Sequence, residues 1–345
     1  MGRGRSVPGS VRVFEPPFCP NPACAYHTHD GAAGGWPWGG RGFRRVRRAP
    51  YWVRLFRCRR CGRWFRSSVF GADYWKKVPG LSARIFDALH AGAGLRQAAR
   101  QLRRGPTTVR WHVRLLAKQL LLRHVEQCGR LAGTLREAIA LDGLRSFAGS
   151  QYEPLDLHTA ITTGSGFVVD LNAAGLRRSG AMRPAQKARR AARDARLGGP
   201  DPRGRARAVR AMLARLLRLA PHLRLRTDEE PDYRAAVRTF GGRIRHTTVS
   251  SRARRDASHP LWKVNSLHGY ARHATRALVR ETIAFAKTSA ALLDRMWLFL
   301  AARNHTKGIR ERTAAGRRTT PAMLLGLEPA PRHGRALLAR RRFPR

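Results

Sequence analysis

The chain has 345 residues, 69 of them Lys or Arg against 21 Asp or Glu, which leaves a formal net charge of +48. Hydrophobic residues make up 43%, enough to fold, so a disordered basic tail is excluded. An ordinary metabolic enzyme is excluded too: such a surface repels itself unless it meets a polyanion, and nucleic acid is the foremost one. The excess is almost all Arg, and a GC-rich coding sequence alone would raise Arg and Ala together, so composition is support rather than proof. The start, MGRGRSVPGS, lacks the apolar core of a secretory signal, and AALLDRMWLFLAA is broken by Asp294 and Arg295. The expectation is a soluble intracellular protein with no membrane partner, and the length predicts two or three domains.

Residues 1–13 read as a flexible basic arm. Residues 14–70 are rich in Cys, Trp, Gly and Pro, with aromatic runs such as YWVRLFRC that predict strands. Cys19-Pro-Asn-Pro-Ala-Cys24 and Cys58-Arg-Arg-Cys61 form two knuckles, each able to aim two thiolates at one ion. Four soft ligands in a tetrahedron suit a structural Zn²⁺ and leave no open position for catalysis. Trp64 and Phe65 are expected to cover the ion. His27 and His29 read as loop residues, and the lone Cys128 as a small hydrophobe.

From Leu81 the pattern turns helical, and 78–120 predicts a helix-turn-helix. Leu95, Ala98, Ala99 and Leu102 form one apolar stripe, and Arg103-Arg104-Gly105-Pro106 makes the turn. Thr107 or Thr108 is expected to cap the next helix, on which Val109, Val113 and Leu116 face inward. Arg110, Arg114 and Lys118 then remain outside, suited to groove and phosphate contacts. A helical connector at 121–135 leads into an α/β region at 136–305. Its strands are read in AIALDGLRSF, on either side of TTGSG, in HLRLRT and in GGRIRHTTVSS, with an Arg-loaded helical stretch at 171–222. A long helix is expected over 260–290 and another over 291–304. A loose basic tail covers 306–345.

Asp142 follows the apolar run AIAL, and Asp228 follows LRLRT, each at a strand. Acids are scarce here, and a carboxylate on each of two core strands is costly unless it binds something positive. Two such aspartates can hold Mg²⁺ ions about 4 Å apart for phosphoryl transfer.

CPNPAC…CRRCGRWF and GLRQAARQLRRGPTTVRWHVRLLAK resemble the zinc ribbon and helix-turn-helix of insertion-sequence-1-type bacterial transposases. LDGLRSF, RTDEEPDYRAAV, HTTVSS, VNSLHGYAR and RETIAFAK resemble the DDE catalytic half of that family. The resemblance implies an RNase H-like mixed sheet over 136–305, with Asp142 and Asp228 as the first two Mg²⁺ ligands. It places the family's third acid on Asn265, a departure, and a phosphate-holding base on Arg272. Glu281 is the alternative third ligand. On a straight helix it lies about 160° round and about 24 Å along from Asn265, so one site cannot use both. The expectation is that Asn265 faces the two aspartates and Glu281 does not. The implied partner is double-stranded DNA, both terminal repeats and target, met by a cytoplasmic, nucleoid-associated protein that acts as a homo-oligomer on paired ends. The alternative is a DNA-binding protein or repressor with impaired catalysis. A basic RNA-binding factor is favoured only by the charge.

Overall fold

The computed structural model describes residues 6–343 apart from 28–31, 33, 48–50, 251, 255, 280–281, 310–315 and 317. The chain forms two compact units, Met1–Ala83 with Arg335–Arg345, and Arg84–Gly334. No described helix is long and apolar enough to cross a membrane.

In the first unit a single helical turn, α1 (Gly9–Arg12), precedes three antiparallel strands, β1 (Trp38–Arg45), β2 (Trp52–Cys58) and β3 (Trp64–Arg66), in that order. Strand alternation sends Phe56 and Phe65 inward, where their rings stack at 5.4 Å, and leaves Trp64 57% exposed beside Arg41 and Arg57. Of Trp64 and Phe65, it is therefore Phe65 that shares a buried core with Cys19, Cys24 and Cys58. Phe18 and Phe70 complete this small core together with Phe343, so at Phe343 the tail expected to be loose is packed.

α2 (Leu81–His90) starts at the end of the first unit and runs into the second, where α3 (Leu95–Gln101) and α4 (Pro106–Arg130) follow. The expected threonine cap on α4 is replaced by Gly105 with Pro106 at the first helical position, whose missing N–H has no partner to lose there. α4 buries Val109, Val113, Leu116, Ala117 and Leu120 along one stripe and runs on unbroken for 25 residues. The expected connector is thus largely the second half of the same helix, held in by His124 and Gln127.

Five strands follow: β4 (Ile139–Phe147), β5 (Pro154–Thr162), β6 (Val168–Gly175), β7 (Leu223–Thr227) and β8 (Ile244–Thr248). Their order is β6-β5-β4-β7-β8; β5 runs antiparallel to both β6 and β4, and β7 and β8 run parallel to β4. This mixed sheet, with its first strand in the centre, is consistent with an RNase H-like core. The Arg-loaded stretch is part strand and two helices, α5 (Pro184–Leu197) and α6 (Gly204–Leu219), split where Gly198, Gly199 and Pro200 break the period. α6 and α7 (Pro231–Arg238) cover one face of the sheet through Met212, Leu213, Leu216 and Tyr233. Each fully buried Leu is worth about 2 kcal/mol, an upper figure because unfolded chains already bury some apolar surface. α8 (Trp262–Ala274) and α9 (Ser289–His305) cover the other face through Val264, Leu267, Met296 and Phe299.

The helix expected over 260–290 stops at Ala274. Ala277, Leu278 and Ala286 are drawn into the α8–α9 core by an irregular segment, so tertiary burial overrides local propensity. The tail expected at 306–345 contains two short helices, α10 (Pro321–Leu324) and α11 (Gly334–Leu337). Between them Glu328 is buried against Arg123, Gln127 and Arg332.

Candidate functional site

The four cysteines converge. The Sγ atoms of Cys19 and Cys61 are 3.6 Å apart and those of Cys24 and Cys58 are 3.9 Å apart, with all four within 4.8 Å of one another. A tetrahedron with Zn–S bonds of about 2.3 Å needs S···S near 3.8 Å, so the donor set fits zinc in both chemistry and spacing. Burial pushes the Cys19 and Cys24 thiols up. Burial opposes ionisation of Cys61 as well, yet the Arg63 backbone and the Asn21 side chain bring it down to about 6. His27 stays outside this set, its Nδ1 2.9 Å from the Cys19 carbonyl oxygen, and His29 lies outside the described residues. Cys128 stands apart beside His124, its thiol pushed up to about 12 by burial and by the Asp170 charge.

Asp142 and Asp228 are set level by strand register. β4 and β7 pair with Ile139 opposite Leu225 and Ala140 opposite Arg226, and the same offset carried two residues on brings Asp142 opposite Asp228. Alternation along β4 sends Ile139 and Leu141 towards α6, and Ala140 and Leu144 towards α8, so Asp142 lies on the α8 face. Its Oδ1 accepts from the Gly143 N–H at 2.8 Å, while Asp228 Oδ1 accepts from the Glu230 N–H at 3.2 Å. Burial raises the Asp228 carboxyl, the Glu230 N–H works against that, and the Asp142 charge raises it further. Two half-buried carboxylates that repel one another in this way form the oxygen donor set a hard divalent cation takes.

α8 brings a residue that the sequence reading passed over. His268 Nδ1 lies 3.6 Å from Asp142 Oδ2, and the side chain is 9% exposed. Asn265 is one turn earlier and Arg272 one turn later on the same helix, both half-buried, so the three share a face. Glu281 lies outside the described residues, and because α8 ends at Ala274 a straight-helix phase no longer positions it. Among the described residues, only the cysteines bring three or more metal-ligand atoms within 4.8 Å; Asp142, Asp228 and His268 stand wider.

Across the sheet, a second polar cluster supports the Asp228 turn. Arg205 on α6 holds Asp156 at 2.9 Å, Glu230 at 3.0 Å and Asp232 at 3.6 Å, and its guanidinium lies over the Tyr233 ring. Burial works to raise the Asp156 carboxyl, but His158 at 3.3 Å and Arg205 hold it below the usual range. His158 is oriented in turn by Asn172. Isolated Arg, His and Asp residues give no spacing signal, so this cluster could not be read from the sequence. Asp170 makes a separate ion pair with Arg215.

On α4, Arg110, Arg114 and Lys118 are exposed, with Trp111 49% exposed beside them. Arg110 donates to Thr107 Oγ1 at 3.3 Å, and the Arg114 charge reaches Asp294 on α9.

No family model and no curated protein matches the chain. Among solved structures, it is similar to a chain in the cryo-EM structure of the simian T-cell lymphotropic virus intasome in complex with PP2A regulatory subunit B56 gamma. That match has 16% identity and a TM-score of 0.25 and covers 59% of this chain, spanning 60% of the length of the other. It is also similar to the HTLV-2 integrase catalytic core domain in complex with magnesium (trimeric form), at 13% identity and a TM-score of 0.21, over 54% of this chain and 95% of that one. Both likenesses are loose, and the fold rests on its own strand order and register.

Proposed function

We propose that the chain is a DNA transposase of an insertion element, which binds the element's terminal repeats and carries out Mg²⁺-dependent strand cleavage and transfer. The observation that carries this reading is the pair Asp142 on β4 and Asp228 just past the end of the parallel neighbour β7, coupled by like charge. Asp142 and Asp228 would hold Mg²⁺, which when bound supplies positive charge at the phosphate under attack. Arg272, on the same α8 face as His268, is suited to hold a neighbouring phosphate. Arg205 keeps the Glu230 turn against the sheet and so fixes the direction of Asp228. Arg110, Arg114 and Lys118 would contact the terminal repeats, the cysteines would hold a structural Zn²⁺, and the chain would act as a homo-oligomer on paired ends and target DNA.

A second reading, a repressor without catalysis, is favoured by Asn265, whose neutral amide stands where the resembled family has an acid. Inverted repeats flanking the coding region supply the DNA for the test. Wild type is expected to nick that DNA and join its 3′ end to a target. Asp142→Ala and Asp228→Ala should each bind the ends and fail to cut. Cutting by either variant overturns the assignment, and wild-type binding without cutting favours the repressor.

A further inference from the structure

His268 carries an imidazole in a place that does not account for it. The residue is only 7% exposed, and its Nε2 is buried with no hydrogen-bond partner. Its Nδ1 is 3.6 Å from Asp142 Oδ2, just beyond hydrogen-bond reach. The nitrogen that faces Asp142 is Nδ1, and it is this nitrogen whose lone pair a cation beside the Asp142 carboxylate would take up; Nε2 is not the donor. Two donors of one octahedral ion at bonds of about 2.1 Å sit about 3 Å apart when adjacent, so Asp142 and His268 lie close to that spacing already.

We propose that His268 is a protein ligand of a divalent cation held with Asp142 and Asp228, and that this oxygen–oxygen–nitrogen donor set takes Mn²⁺ ahead of Mg²⁺. The proposal rests on the reading of the two aspartates as metal ligands. Asn265, one turn earlier on α8, offers only a neutral amide oxygen, whereas an imidazole is a stronger donor to transition-metal ions. Mg²⁺ prefers oxygen and keeps its waters, while Mn²⁺ accepts carboxylate and imidazole alike. The three donor atoms do not all come within 4.8 Å of one another, so a shared ion requires a side-chain movement, which the charge of a cation favours and the repulsion between Asp142 and Asp228 alone opposes. A nearby imidazole, His246, is already engaged, its Nε2 2.8 Å from Thr227 Oγ1.

The full-length protein, with zinc retained, would be titrated with Mn²⁺ alone. Electron paramagnetic resonance reads the free ion, and electron spin echo modulation reads nitrogen bound to it. The expected result is one Mn²⁺ site, lost in Asp142→Ala, at least tenfold tighter than Mg²⁺ in competition, and showing ¹⁴N coupling. That coupling should vanish in His268→Gln with at least a tenfold loss of Mn²⁺ affinity, and persist in Asn265→Ala and His246→Gln. If His268→Gln does not fold, His268→Asp serves: it should hold Mn²⁺ without ¹⁴N coupling and bring Mg²⁺ affinity up towards that of Mn²⁺. Asp142-dependent Mn²⁺ binding without ¹⁴N coupling, or coupling lost in His246→Gln instead, overturns the proposal and leaves the aspartate reading standing. No Asp142-dependent binding overturns both.

Discussion

Asp228 pays for its place in the turn after β7, because burial and the Asp142 charge both favour its protonated form. Its carboxyl in the folded chain titrates above the unfolded value. Its contribution to stability is therefore fully present below the usual carboxylate range and is lost as pH rises through the raised value. At pH 7, with zinc retained and no Mg²⁺ or Mn²⁺ added, Asp228→Asn should raise the urea midpoint, a gain in stability of at most about 1 kcal/mol once solvent screening of a half-exposed group is allowed for. The gain should shrink to nothing near pH 3; an unchanged or lower midpoint at pH 7 would show that the charge is not strained. Gly143 next door is constrained by space. A Cβ there would overlap the Asp156 carboxylate, which Arg205 and His158 hold in place. Gly143→Ala should cost about 1–3 kcal/mol by overpacking, read as a lower thermal midpoint. The two aspartates were legible in sequence because scarce acids followed apolar runs. His268 was not: a single His at helical spacing looks the same whether it lines a core or a site, and only its 3.6 Å approach to Asp142 separates the two.

At the scale of elements, periodicity located the strands and most of the helices, but read 171–222 as one helical stretch where Gly-Gly-Pro splits α5 from α6. It failed where tertiary contacts decide. Nothing in ATRALVRETIAFAK stops a helix, yet the burial of Ala277 and Leu278 against α9 ends α8 at Ala274. Likewise α4 carries its stripe past the expected boundary because the sheet unit supplies more surface for it. The first unit is the opposite case: it has one three-stranded sheet and a small aromatic core, so local pattern alone would not hold it. Its cysteine spacing was the readable part, since two knuckles have one economical geometry. Purified protein should therefore contain one Zn²⁺, and a strong chelator or Cys58→Ser should unfold this unit, seen as loss of near-ultraviolet signal from its tryptophans. Zinc-free protein with the wild-type spectrum would refute a structural site.

For the whole molecule, the +48 charge sets how affinity should depend on salt. Cations that neutralise phosphates release condensed counterions, so log affinity falls linearly with log salt, by about 0.9 per phosphate contacted in duplex DNA. If six or more phosphates are met, end DNA should bind about a thousandfold more weakly at 200 mM than at 50 mM salt. Any basic surface would give a slope of that kind, so the slope alone does not assign α4. Arg110 and Arg114 are exposed on it, although Arg114 shares its charge with Asp294 and should count for less than a full contact. Arg110→Ala with Arg114→Ala should lower the slope by between about 1 and 2, and should weaken end DNA more than an unrelated duplex if the helix also reads bases. Equal weakening of both duplexes would make α4 a phosphate clamp without sequence preference. An unchanged slope and affinity would take this helix out of the interface and leave the charge of the rest of the chain as the sole source of binding.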